Sequence, residues 1–427
     1  MTLAGQSLSA FDRAFLWYER THPRANPGIG ALGLFDGAAP SLDDVIKWVD
    51  ACLDVVPRLR CRLVHDRRHP TGLIPMPIDL TALVRESVAP ADSGEAGLRA
   101  TINGLLAERF TPDLPPWRLW LIHGHAPGEF ATLFVAHHAI CDGQSLIAII
   151  RTFGAAAGTP MTHGDGETAG PVPPGRIVGP SPLAVVRGAA SAMSSLLPPA
   201  ARLGPPALHG NRDYHWAFTP ADTLRKIADG YVVTVNDILL ATLSGVLRDW
   251  RGSPWHDLSR RGRRLWCLMP MSARDDVELS RIGNRVSFVR VALPCGEPDP
   301  VRRIRLIAAQ TAKAKAGGRR AAGAAFGRGA PTWLARAIVK IIMSPRFAHV
   351  VAANVGVGFD GTVSLGGRPM RALAPVMGLP AGRPLQVAFV TCQNDLAAGL
   401  VADARIAGTE ELPSLWGRAV DELELAL

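Results

Sequence analysis

Apolar positions recur at helical spacing in LDDVIKWVDACL, which begins at Leu42, and the pattern changes at VVPRLRCRLV, where alternation and β-branching predict a turn into a strand. AGLRATINGLLAERF predicts a second amphipathic helix. WRLWLIHG and EFATLFVAHH, separated by the turn residues HAPG, predict two neighbouring strands. DGQSLIAIIRTFGAAAG then opens on a helix-start residue, Asp142, and carries Leu146, Ile147, Ile149 and Ile150 on an apolar face. Strand, polar loop and helix therefore surround the stretch FVAHHAICDGQSLI, in which an apolar strand ends on two adjacent histidines.

Composition shifts after this helix. Residues 158–210 are dense in Pro, Gly and Ala, as in GPVPPGRIVGPSP and LLPPAARLGPP, and read as a linker interrupted by one short helix, LAVVRGAASAMSSLL. A second region follows, with helical patterns in PADTLRKIADG, TVNDILLATLSGVLRDW and PVRRIRLIAAQTAKAKA and strand patterns in RLWCLMPM and NRVSFVRVALP. The expected division is an N-terminal α/β lobe over residues 1–157, the linker over 158–210 and a C-terminal α/β lobe over 211–427, with a cleft between the lobes. GGRRAAGAAFGRGAP, at 317–331, is of low complexity and is assigned no function.

The chain has 427 residues, 48% hydrophobic and 19% charged, which places it among globular proteins and allows more than one core. The net charge of +9 is carried mostly by arginine and suits an anionic partner such as a phosphate-bearing cofactor, a membrane surface or nucleic acid. Nucleic acid is disfavoured, because aromatics make up only 6% and no nucleic-acid motif accompanies the basic clusters; RRGRR at Arg260–Arg264 reads as an exposed loop. Six cysteines without a CxxC pair suit a reducing compartment. The N-terminus lacks a signal-peptide pattern, and the apolar stretch WLARAIVKIIMSP is broken by Arg336, Lys340 and Pro345 short of the roughly 20 residues that span a bilayer. The expected location is the cytoplasm, free or peripheral at a membrane or lipid-droplet surface.

Three readings compete for His137 and His138. Adjacent residues at a strand end point in opposite directions, so the pair is poorly suited to sharing one metal ion, and no metal is assigned. A buried structural histidine is the second reading, but Asp142, Gly143 and the strand-loop-helix setting add a constellation that it does not require. The third is general-base chemistry: a neutral imidazole takes the proton of a hydroxyl or amine as that group attacks an acyl carbon. One histidine then faces the cleft and its neighbour packs inward, Asp142 serves as a buried structural anion, and Gly143 allows a tight turn into the helix.

His137, His138, Asp142 and Gly143 form HHxxxDG, and with it the chain resembles thioester-dependent acyltransferases: chloramphenicol acetyltransferase-like enzymes, nonribosomal-peptide condensation domains and the bacterial wax ester synthase/diacylglycerol acyltransferase family. Further stretches resemble the last of these, in order along the chain: LSAFDRAFLWYER, VPRLRCRLV, PPWRLWLI with Pro116 in place of a leucine, TVNDILLA with Asn236 and Asp237, MPMSAR, GNRVSFVRVALP, and GLVAD followed by LPSLWGRAVDELE. Two segments depart from it. AANVGVG keeps Asn354 and Val355 but lacks the family's serine and prolines, and FVTCQNDLAAGL has Thr391 and Cys392 where the family has Ser-Tyr.

The resemblance implies an α/β fold of two chloramphenicol acetyltransferase-like lobes with a cleft or tunnel between them. It implies an O-acyltransferase with no bound cofactor, using acyl-CoA or an acyl carrier protein thioester as co-substrate and a fatty alcohol or diacylglycerol as acceptor. His138 would be the base and His137 the packing residue. Asn236 would donate to the oxyanion, its competing role being a helix N-cap. Asp142 would pair with Arg274 or Arg285, Asp237 would give structural support, and Trp117, Asn284 and Asn354 would line the substrate pocket. Cys141, although inside the motif, need not be a nucleophile. The competing functions are a natural-product acyltransferase that uses a carrier protein and a non-lipid hydroxyl or amine acceptor, and a non-catalytic lipid-surface protein.

Overall fold

A computed structural model describes the chain except for residues 1–5, 24, 26–27, 65–71, 158–211, 258–263, 273–285, 317–330, 360–363 and 381. The expected linker, most of RRGRR, the low-complexity stretch and the candidates Arg274, Asn284 and Arg285 lie outside the described residues.

The N-terminal half follows the predicted order. Strand β1 (Gln6–Ser7) leads into α1 (Ala10–Thr21), capped by Ser9, whose hydroxyl accepts from the Asp12 amide while the Asp12 carboxylate accepts from the Ser9 amide. Then come β2 (Gly28–Asp36), α2 (Leu42–Val55), a single 3₁₀ turn at Pro57–Arg60, β3 (Cys61–Val64), β4 (Gly72–Pro75), β5 (Val84–Val88) and α3 (Gly94–Ala107). Strands β6 (Trp117–His123) and β7 (Glu129–His137) are antiparallel, and α4 (Gly143–Ala156) follows with Asp142 as its N-cap.

The C-terminal half supplies β8 (Arg212–Pro220), α5 (Ala221–Tyr231), α6 (Val235–Asp249), β9 (Leu265–Ser272), β10 (Val286–Leu293), α7 (Pro300–Ala316), α8 (Thr332–Ile342), β11 (Val350–Phe359), β12 (Ser364–Leu365), β13 (Arg368–Val376), β14 (Leu385–Cys392), β15 (Asp395–Asp403) and α9 (Leu412–Leu425). Two six-stranded mixed sheets result, ordered β12-β13-β2-β7-β6-β5 and β10-β9-β11-β14-β15-β8, beside a small sheet β1-β4-β3. Each large sheet has its own buried core. Among the described residues no single helix is long and apolar enough to cross a membrane.

The two halves share elements across the expected division at residue 211. β13, although late in the chain, pairs antiparallel with β2 and so belongs to the sheet of the N-terminal half. α1, the first helix, packs on α8 of the C-terminal half in a shared core of Ala14, Tyr18, Ala335, Val339 and Phe347. The halves thus exchange elements, because β13 finds an apolar partner edge at β2 that local sequence does not advertise.

β13 also crosses against the second sheet. Gly399 of β15 lies so close that a Cβ there would stand 1.9 Å from the Pro375 carbonyl oxygen. The same oxygen accepts from the fully buried Tyr214 hydroxyl at 3.0 Å. Tyr214→Phe is expected to lose about 1 kcal/mol by leaving a buried carbonyl unpaired. Gly399→Ala, which has no room, is expected to cost more. Urea unfolding of both variants checks this, and wild-type midpoints would refute the joint.

Candidate active site

β7, a central strand, carries the motif at its C-terminal end and finishes at His137, which is buried opposite Gly28 of β2. The Ala139 amide donates to His137 Nδ1 at 2.9 Å, so this nitrogen is the unprotonated one. Nε2 therefore carries the hydrogen and donates to Glu19 Oε2 on α1, also at 2.9 Å. With both ring nitrogens engaged, His137 is a packing and anchoring residue.

His138 opens the turn after the strand and is only partly buried, with its ring stacked on Phe15 of α1 at 5.4 Å between centroids and 16° between planes. Burial pushes its pKa below the ordinary histidine value, against a hydrogen bond to its own main chain and the Asp142 and Asp12 carboxylates, which favour the charged form, while His137 disfavours it.

Asp142 is buried and accepts from the Ser145 amide at 3.0 Å, capping α4. Arg58, in the 3₁₀ turn, lies within electrostatic reach of Asp12 and Asp142 and donates to the Ala139 carbonyl at 3.3 Å; burial lowers its pKa, opposed by those carboxylates. Arg58, Asp12, Phe15 and Glu19 are site residues that the motif did not disclose. The available signal was spacing: Asp12, Phe15 and Glu19 stand at i, i+3 and i+7 on one helix face.

Two expectations change. Gly143 does not have a positive φ, so a tight turn is not what it serves. A Cβ there would lie 3.1 Å from Val355 Cγ2, so glycine permits close approach of α4 to β11. Trp117 is fully buried and donates through Nε1 to the Leu59 carbonyl at 2.7 Å, which fixes the turn carrying Arg58; it is a core residue and not part of a pocket wall.

The second half meets the motif at this contact. Next to Val355, the register of β11 against β14 shifts, and Gly356 adopts φ +85°. Asn354 Oδ1 accepts from the Gly356 amide at 2.8 Å, and Asn354 Nδ2 donates to Asn236 Oδ1 at 2.6 Å. Asn236 thereby has its oxygen occupied and its amide nitrogen left as the donor group. The cap of α6 is Thr234, whose amide and hydroxyl donate to Asp237 Oδ2, so the N-cap role does not fall to Asn236. Asp237 is buried and also accepts from Thr311 Oγ1 of α7 at 2.6 Å, tying the two helices. Cys141 is fully buried. No group of three or more His, Cys, Asp or Glu side chains suited to a metal ion comes together among the described residues.

Two mixed sheets, the first completed by β13 from the second half of the chain, with HHxxxDG at the end of a central strand, define a two-lobed chloramphenicol acetyltransferase-like acyltransferase. A wax ester synthase/diacylglycerol acyltransferase from Marinobacter aquaeolei VT8 has the same fold, with a TM-score of 0.67 at 17% identity over 98% of this chain and 99% of that one. The starter condensation domain of rhizomide synthetase (R148A mutant, in complex with C8-CoA) also superposes at 0.67, with 14% identity over 99% and 94%. In sequence, a Mycobacterium tuberculosis protein named as a probable diacylglycerol O-acyltransferase is 27% identical over 93% of this chain and 90% of its own length. Residues 8–173 match the wax ester synthase/diacylglycerol acyltransferase catalytic domain, and residues 282–424 match the C-terminal domain of the same family. The chain belongs to this family and is an O-acyltransferase.

Glu19→Ala leaves the buried His137 N–H without an acceptor and is expected to lower stability by about 1–3 kcal/mol. Glu19→Gln, which keeps an acceptor oxygen, should recover most of it. Denaturant melts of the two variants read the difference, and equal midpoints would contradict the assignment.

Proposed function

We propose that the enzyme transfers the acyl group of acyl-CoA directly to the hydroxyl of a fatty alcohol or diacylglycerol, with His138 as the general base. The acceptor oxygen attacks the thioester carbonyl carbon while Nε2 of His138 takes its proton. The tetrahedral oxyanion collapses, the C–S bond breaks, and His138 returns the proton to the departing thiolate. No acyl-enzyme forms, and the buried Cys141 thiol takes no part.

The observation that carries this reading is the division of labour in the histidine pair: both nitrogens of His137 are bonded within the fold, whereas the half-buried ring of His138 stacks on Phe15 beside the motif loop. Asn236 is the oxyanion donor, supported by the Asn354 contact that leaves its amide nitrogen available. The acyl-CoA donor draws support from the C8-CoA held by the rhizomide synthetase domain, and the acceptor class from the name of the mycobacterial relative. A positive net charge of +9 suits both an anionic CoA and an anionic lipid surface, and it supports a peripheral location at such a surface.

Mass spectrometry of products from mixed acyl-CoAs with fatty alcohol and diacylglycerol, alongside free-thiol release, tests the reaction. Wax esters or triacylglycerol are expected in step with thiol release; turnover only with non-lipid acceptors or only from carrier-protein thioesters would overturn it. Asn236→Ala is expected to reduce kcat by about 10²–10³. A base must be neutral, and burial lowers the His138 pKa from 6.5, so the neutral form persists to lower pH than for an ordinary histidine. The acid limb of kcat/KM should therefore fall below pH 6.5, and a midpoint at or above that value would contradict the burial argument.

A further inference from the structure

Helix α8 presents an unusual outer stripe. Trp333, Arg336, Ala337 and Lys340 all face solvent at i, i+3, i+4 and i+7, and Trp333 is 69% exposed. The opposite face is committed to the core through Ala335, Val339 and Ile342. From Thr332 to His349 the sequence holds Arg336, Lys340 and Arg346 and no carboxylate. Arg336 reaches toward the neighbouring helix, with its guanidinium 5.8 Å from the Trp17 ring of α1. α1 is also the helix whose other side stacks Phe15 on His138 and joins Glu19 to His137.

We infer that the α8 stripe, with Trp17 beside it, is the face on which the enzyme lies against an anionic lipid surface. A helix lying in the interface needs one face held by protein or buried in lipid, cations to meet headgroups, and an amphipathic ring at the boundary. α8 has all three, and its inner face already rests on the protein, so docking requires no refolding. Cations without carboxylates are complementary to anionic headgroups. A partner protein of mixed charge would gain less from such a stripe. The placement also has a functional sense. An acceptor dissolved in a lipid layer would meet the protein one helix away from the base, and in this respect the inference rests on the lipid-acceptor reading.

The test is co-sedimentation of the full chain with phosphatidylglycerol-containing and pure phosphatidylcholine vesicles, for wild type, Trp333→Ala, Arg336→Gln/Lys340→Gln and a control, Arg305→Gln/Lys313→Gln, on the exposed side of α7. The wild type and control are expected to bind the anionic vesicles, and the two α8 variants to partition about tenfold less or worse. All four should keep equal turnover with a short-chain acyl-CoA and a water-soluble alcohol. Undiminished binding by the α8 variants, an equal loss in the control, or no binding by the wild type would overturn the inference. So would lipid-free self-association that Trp333→Ala abolishes, since the face would then join two copies of the chain. Absence of turnover with every alcohol would fault the acceptor reading instead and leave the vesicle result to judge the surface alone.

Discussion

The hydrogen bonds on the two nitrogens of His137 are the constraint on which the site depends. One comes from the Ala139 amide and the other goes to Glu19, and together they lock the ring inward at the end of β7. The strand ends at His137, and His138 opens the turn that follows, where its ring stacks on Phe15 of the same helix that holds His137 through Glu19. The first histidine is therefore committed to structure, and the second is the one proposed to act on substrate. Asp142 completes the arrangement by capping α4 near Arg58, which holds the loop between strand and helix from both ends.

That loop becomes part of a two-sided site through one close contact. Glycine at 143 lets α4 approach Val355, and the irregular stretch of β11 beside it directs Asn354 to Asn236. The exchanged elements make the contact rigid: β13 crosses into the first sheet, and α1 shares a core with α8. The proposed base, from one half, and the proposed amide donor, from the other, are thus held by packing that neither half could complete alone.

Much of this was legible in the chain. Periodicity located α2, α3, α4, α6 and α7, and turn residues located the β6–β7 pair, because these features are set by neighbours in sequence. HHxxxDG and the ordered segments around it pointed to the acyltransferase family. The joining of β13 to β2 was not legible, since the pairing spans more than 330 residues and leaves no local mark. The resemblance put Trp117 in a pocket wall and the residue type gave Gly143 a turn, whereas their surroundings give them core packing and close approach. Asp12 and Glu19 were overlooked because each looks like a solvated charge on an amphipathic helix until α1 is seen against β7.

The central claim is that His138 is the only part of the histidine pair that handles the substrate proton. The most direct measurement is the rate of CoA release by purified His138→Ala enzyme with acyl-CoA and fatty alcohol, read beside its thermal unfolding. A fold as stable as the wild type with turnover reduced by about 10²–10⁴ is the predicted result. Turnover near the wild-type rate in the folded variant would contradict it.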